Sequence, residues 1–141
     1  MTYENEAGNW ASQEEADKAL DKFLTYKKMR YFNPSEIQLL KHLVFLEMEL
    51  ERRQDKVNQI HVQAEEEQME QERIEDLFQQ AEEIETKVSA LHNYFDKKYP
   101  INKMTFKQYS AKLQLMAQYK NLREFEFKEK VLEAYHKYLA E

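Results

Sequence analysis

The sequence contains no cysteine, a single glycine at Gly8, and only two prolines, Pro34 and Pro100, in 141 residues. Without cysteine there is no disulfide framework, no thiolate metal site and no thiol nucleophile. One glycine cannot make the glycine-rich loop that cradles a phosphate. So little glycine and proline also leaves few turns, and β-sheets need many. Long apolar runs are missing as well: the longest is Leu43-Val44-Phe45-Leu46, against roughly 20 residues for a membrane-spanning helix. The opening Met-Thr-Tyr-Glu-Asn-Glu lacks the basic and apolar regions of a signal peptide. A soluble, cytoplasmic protein without a membrane partner is therefore expected.

What the chain does have is helix-forming material. Charged residues make up 34% and the net charge is −6, which favours solubility and disfavours a general affinity for nucleic acid. The stretch Pro34 to Lys98 runs for 65 residues without an internal glycine or proline. The expected fold class is all-α: an elongated antiparallel helical bundle or coiled coil around one long central helix. Residues 1–12 are expected to be a loose leader in which only Trp10 has packing value, and residues 13–141 a single all-helical domain.

Local signals place the helices at about 13–30, 34–98 and 105–139. Ser12 followed by Glu15 has the spacing of a capping box, and Ala16, Ala19, Leu20, Phe23 and Leu24 then recur at helical period. Asn33-Pro34-Ser35-Glu36 combines an N-cap residue, a proline at the first helical position and an acid at the third. Tyr99-Pro100 ends the long helix, because a residue before proline is pushed out of the helical region. Thr105 with Gln108 is a further capping box, and Asn121 with Glu124 is compatible with a break near residue 120.

Two heptad phases run along the central stretch. Leu43, Leu46, Leu50, Val57, Ile60 and Ala64 fit the first, with Arg53 an exception; Ile74, Leu77, Ala81, Ile84, Val88, Leu91 and Phe95 fit the second. They differ by a three-residue slip, which means either a locally overwound helix or a helical hairpin. Residues 65–73 contain no Gly, Pro, Asn or Ser, so the reading adopted is continuity, a rod of ~97 Å. Neither flanking helix reaches the middle of such a rod, leaving Val57, Ile60 and Ala64 for a second copy to cover. A homodimer follows, antiparallel or splayed near Glu67 because a parallel seam would oppose like charges.

The residues offer little for catalysis. Ser12, Ser35 and Thr105 sit at or beside caps, and neither a Gly-x-Ser-x-Gly elbow nor a His-Glu-x-x-His motif occurs. Of His42, His61, His92 and His136, only His136 has a glutamate three residues before it, Glu133, and a bundle di-iron site needs two such pairs. No enzyme activity, metal or cofactor is expected.

Binding is better supported. Residues 65–85 hold ten Asp or Glu against Arg73 alone, and residues 103–123 hold five Lys or Arg and no acid. Phe125 and Phe127 are two apart and cannot share a helix face, so an aromatic face is left over. The expected function is a non-enzymatic protein–protein interaction, adaptor or oligomerisation module. Its candidate partner-binding residues are Val57, Ile60, Ala64, Glu65, Glu66, Glu67, Glu70, Phe125 and Phe127. One alternative is an acidic inhibitor of the kind mobile elements encode, whose glutamates imitate nucleic-acid phosphates in another protein's basic site. A second alternative is nucleic-acid binding through Lys27-Lys28-Met29-Arg30-Tyr31-Phe32 and the Lys103–Lys112 stretch, where cations alternate with aromatics.

Overall fold

The computed structural model describes residues 2–63, 68–120, 122 and 124–141, with the backbone alone at 58, 60–63, 68–71, 117, 124 and 125. The chain is mostly helical: α1 (Gln13–Met29), α2 (Pro34–Gln63), α3 (Gln68–Lys98), α4 (Phe106–Gln114) and α5 (Glu124–Ala140), preceded by strands β1 (Tyr3–Asn5) and β2 (Gly8–Trp10). No described helix is long and apolar enough to cross a membrane.

The cap signals did their local work. Ser12 Oγ accepts from Glu15 N at 3.1 Å and opens α1, although the Glu15 carboxylate turns away to take two hydrogen bonds from Arg52. Asn33 and Glu36 satisfy each other's backbone N–H groups at 2.9 and 3.1 Å, and Thr105 with Gln108 completes the box that starts α4. Each box supplies acceptors for N–H groups that the first helical turn leaves unpaired.

The expectation of a continuous rod over 34–98 is corrected. α2 and α3 run in opposite directions, side by side, and residues 64–67 between them lie outside the described set. At the open end of the pair, Tyr99 Oη donates to Glu36 Oε1 at 2.5 Å and Lys98 Nζ lies 3.1 Å from Glu36 Oε2. Midway along, His92 meets Glu47. The heptad slip therefore marks a reversal. Burying Val57, Ile74, Phe78, Ala81 and Val88 in the core gains about 1.5–3 kcal/mol for each larger side chain.

The leader is not loose. β1 and β2 pair antiparallel, with Tyr3 opposite Trp10 and Asn5 opposite Gly8. Asn5 Oδ1 accepts from Ala7 N at 2.8 Å inside the turn, while its amide donates to Ala16 O at 2.8 Å, fastening the hairpin to α1. Gly8 has φ +123°, a conformation side chains resist. Trp10 and Ala7 are buried, and Arg52 lies over the indole ring. Strands of three residues are too short for a period-two signal.

The last helix is two. After α4, Met116 N bonds to Leu113 O and Tyr119 N to Met116 O, a 3-10 turn over Ala117–Tyr119. α5 then returns along α4, so that Tyr109 stacks on Tyr138 with centroids 4.9 Å apart and Phe106 packs on Tyr135. Lys103 Nζ donates to the carbonyls of Tyr138, Leu139 and Glu141 at 2.9, 3.2 and 2.6 Å. A cation at a helix C-terminus satisfies orphan carbonyls and complements the dipole. Arg30 forms a largely buried ion pair with Asp96, whose other oxygen accepts from Phe106 N at 3.2 Å, so one carboxylate ties the end of α1 and the start of α4 to α3.

Candidate functional site

The chemically densest point of the described molecule is Glu47. It falls four residues after Leu43 and three before Leu50 on α2, on the buried stripe, and its side chain is 0% exposed. Three other helices aim donors at it. Tyr26 Oη of α1 donates to Oε2 at 2.6 Å, His92 Nε2 of α3 to the same oxygen at 3.0 Å, and His136 Nε2 of α5 to Oε1 at 3.0 Å. Lys22 Nζ of α1 stands 3.9 Å from Oε1. Because the carboxylate only accepts, both imidazoles present Nε2–H to it. The 3.3 Å approach of Tyr26 Oη to His92 Nε2 is then proximity between two donors that share one acceptor.

Aromatic rings wall the cluster. Tyr26 lies 4.5 Å from the His136 ring and edge-on to His92, and Phe106 stacks on His92 at 4.3 Å. Burial on its own would push the Glu47 carboxyl up; the hydrogen bonds from His136 and His92, with the nearby charges, outweigh it and hold the group well below the usual carboxylate range. Burial pushes His136 below its ordinary value against the opposing pull of Glu47. Burial first, then Glu47, drives the Tyr26 phenol well above its usual value.

Chemically this is a carboxylate kept ionised while accepting three hydrogen bonds, hence a poor base and a strong tether. The imidazole nitrogens face the carboxylate oxygens rather than a common vacant point, and no group of three His, Asp or Glu among the described residues is arranged to hold a metal ion. Beside the cluster, Lys18, Lys22, Glu47, Glu51, Glu129, Leu132 and Glu133 line a cleft of about 100 Å³. Lys18 pairs with Glu51 across it, and burial raises the Glu129 carboxyl.

The residues expected to bind partners are not gathered into one site. Val57 is 2% exposed and Phe127 8%, the latter packed edge-on to Tyr119 at 5.8 Å; both belong to the chain's own core, which corrects their assignment to a partner surface. The side chains of Ile60, Ala64, Glu65, Glu66, Glu67, Glu70 and Phe125, and that of His61, lie outside the described residues. His42 is exposed and stacked on Phe45. In the basic segments most aromatics are used internally: Phe32 packs on Phe95 and Tyr99, and Phe106 is buried, while Tyr31 is 80% exposed.

Sequence reasoning missed Glu47 entirely. Its signal was a lone acid in phase with Leu43 and Leu50, matched by histidines in phase with Val88 and Phe95 and with Leu132 and Leu139. Comparison of the chain with protein-family models, with curated proteins and with solved structures finds no match.

Proposed function

We propose that this chain is a non-enzymatic helical protein–protein interaction module, an antiparallel bundle that presents apolar side chains from a rigid frame. The observation that carries this reading is the link between α4 and α5, where Leu115 is 82% exposed and Met116 42%. Two adjacent large apolar side chains kept in water at a turn gain nothing for the fold, and recognition is their usual use. With Val57 inside the chain's own core, self-association through the middle of α2 loses its basis, and a homodimer would have to use Leu115 and Met116 instead. The double variant Leu115→Ser, Met116→Ser tests this. Partners captured by cross-linking in native extract, including a second copy detected by light scattering, are expected to be lost while the helical content and melting temperature hold. An unchanged partner set and unchanged mass would sink the proposal.

A second reading, the acidic inhibitor, draws on Glu72, Glu75, Asp76, Glu82 and Glu83, all exposed on the first half of α3. Such a row suits a basic groove made for nucleic acid. Charge reversal at Glu72, Asp76 and Glu83 would then abolish partner binding, whereas contact through Leu115 and Met116 would tolerate it.

A further inference from the structure

Among the described residues Glu47 is where α1, α2, α3 and α5 are joined by side-chain hydrogen bonds, and its described bond to α5 runs through His136. The second ring nitrogen of His136, Nδ1, is buried without a hydrogen-bond partner. In a neutral imidazole that atom is a bare acceptor. In an imidazolium it becomes an N–H donor sealed away from water, and a buried donor without a partner is costly.

From this geometry we propose that His136 is an acid-operated latch: its protonation releases α5 from Glu47 and opens the α4–α5 hairpin away from α1, α2 and α3.

The groups facing His136 decide the direction. From α1 come Lys22, a like charge, and Tyr26, whose ring lies 4.5 Å away. From α2 comes Glu47, the one favourable partner, already shared among Tyr26, His92 and Lys22. From α3 comes His92, a second imidazole on the same carboxylate. On α5 itself, Glu133 sits one turn earlier and lines the neighbouring cleft with Glu129, open to water. The single counter-charge is divided among three donors and a lysine, so it does not offset the stranded Nδ1–H and the repulsion from Lys22.

A released α5 would uncover Val131, Leu132, Tyr135 and Leu139, all buried in the closed form.

The linkage has a definite sign. An open form takes up the proton with the ordinary histidine value near 6.5 and the closed form takes it up only at lower pH, so opening increases as pH falls below 6.5. Between pH 7.5 and 5.5 one such histidine raises the open population by at most about tenfold.

Hydrogen exchange read by mass spectrometry on the full chain, corrected for intrinsic rates, provides the test. Opening of peptides from 126–140 should rise severalfold, up to about tenfold, between pH 7.5 and 5.5, while peptides from 78–91 of α3 change much less. His136→Gln keeps a neutral N–H donor and has no proton to gain, so its α5 opening should be independent of pH over that interval. Equal pH dependence in His136→Gln and the natural sequence would overturn the latch. Imidazole NMR on the unaltered chain is the second measurement: a folded-state His136 titrating at or above 6.5 would overturn it equally.

Discussion

Removing the Glu47 carboxylate is the severest single test of the reasoning that gives this residue its place. Glu47→Ala strips the acceptor from Tyr26 Oη, His92 Nε2 and His136 Nε2 together. A buried donor left unpaired costs about 1–3 kcal/mol, and losing one side of a buried charged network typically costs about 3–5 kcal/mol in total. The adjacent cleft of about 100 Å³ lets water reach part of the vacated space, so the lower end, about 3 kcal/mol, is expected. A domain of this size holds roughly 5–15 kcal/mol, so the variant folds but melts roughly 10 °C lower. Urea titration at pH 7.5, with an unchanged m-value, measures the loss. The double change Glu47→Leu with His136→Leu, which replaces both partners by apolar groups, should cost less than Glu47→Leu alone, because it strands fewer donors. A loss under about 1 kcal/mol for Glu47→Ala, or strict additivity in that cycle, would refute the claim that this carboxylate holds four helices.

The other predictions follow from burial, backbone and charge. Glu47 has a folded-state pKa depressed below the ordinary carboxylate value, so its contribution is present above pH 4.5 and lost as pH falls below it; in Glu47→Gln the acid limb of a stability–pH curve between pH 4.5 and 2 should be shallower by up to about 1.4 kcal/mol per pH unit. Val57 is inside the core, so Val57→Asp should destabilise the fold by about 3 kcal/mol in urea titration; a change in oligomer mass with stability intact would restore Val57 to a partner surface. Gly8 holds φ +123°, and an added Cβ would meet only Trp10 Nε1 at 3.9 Å. Gly8→Ala therefore carries backbone strain alone, about 1–3 kcal/mol, visible as a red shift of Trp10 fluorescence well below the global melt. An unshifted emission band would show that the turn tolerates a side chain.

Much of the chain was legible wherever a few neighbouring residues decide the outcome. Ser12, Asn33 and Thr105 start helices because their side chains accept from N–H groups three residues on. Tyr99-Pro100 stops one for steric reasons confined to two residues. Trp10 was identified as the valuable residue of the leader, though not the hairpin that delivers it. The candidate site fared worse. Val57 was read as surplus because the count of cover assumed a straight rod, and Phe127 because it cannot share a helix face with Phe125; folding buries both, Phe127 against Tyr119.

What the sequence determined by itself, then, was helical identity, caps and the apolar stripes, since each depends on contacts within one or two turns. The tertiary structure alone decided that 34–98 doubles back, because only packing of the whole chain removes the apolar residues of both halves from water. It also decided the meeting of Glu47 with His92, 45 positions on, and His136, 89 positions on. No local pattern encodes such a meeting; a lone acid on a greasy face is intelligible only after the helices that bring its donors have packed.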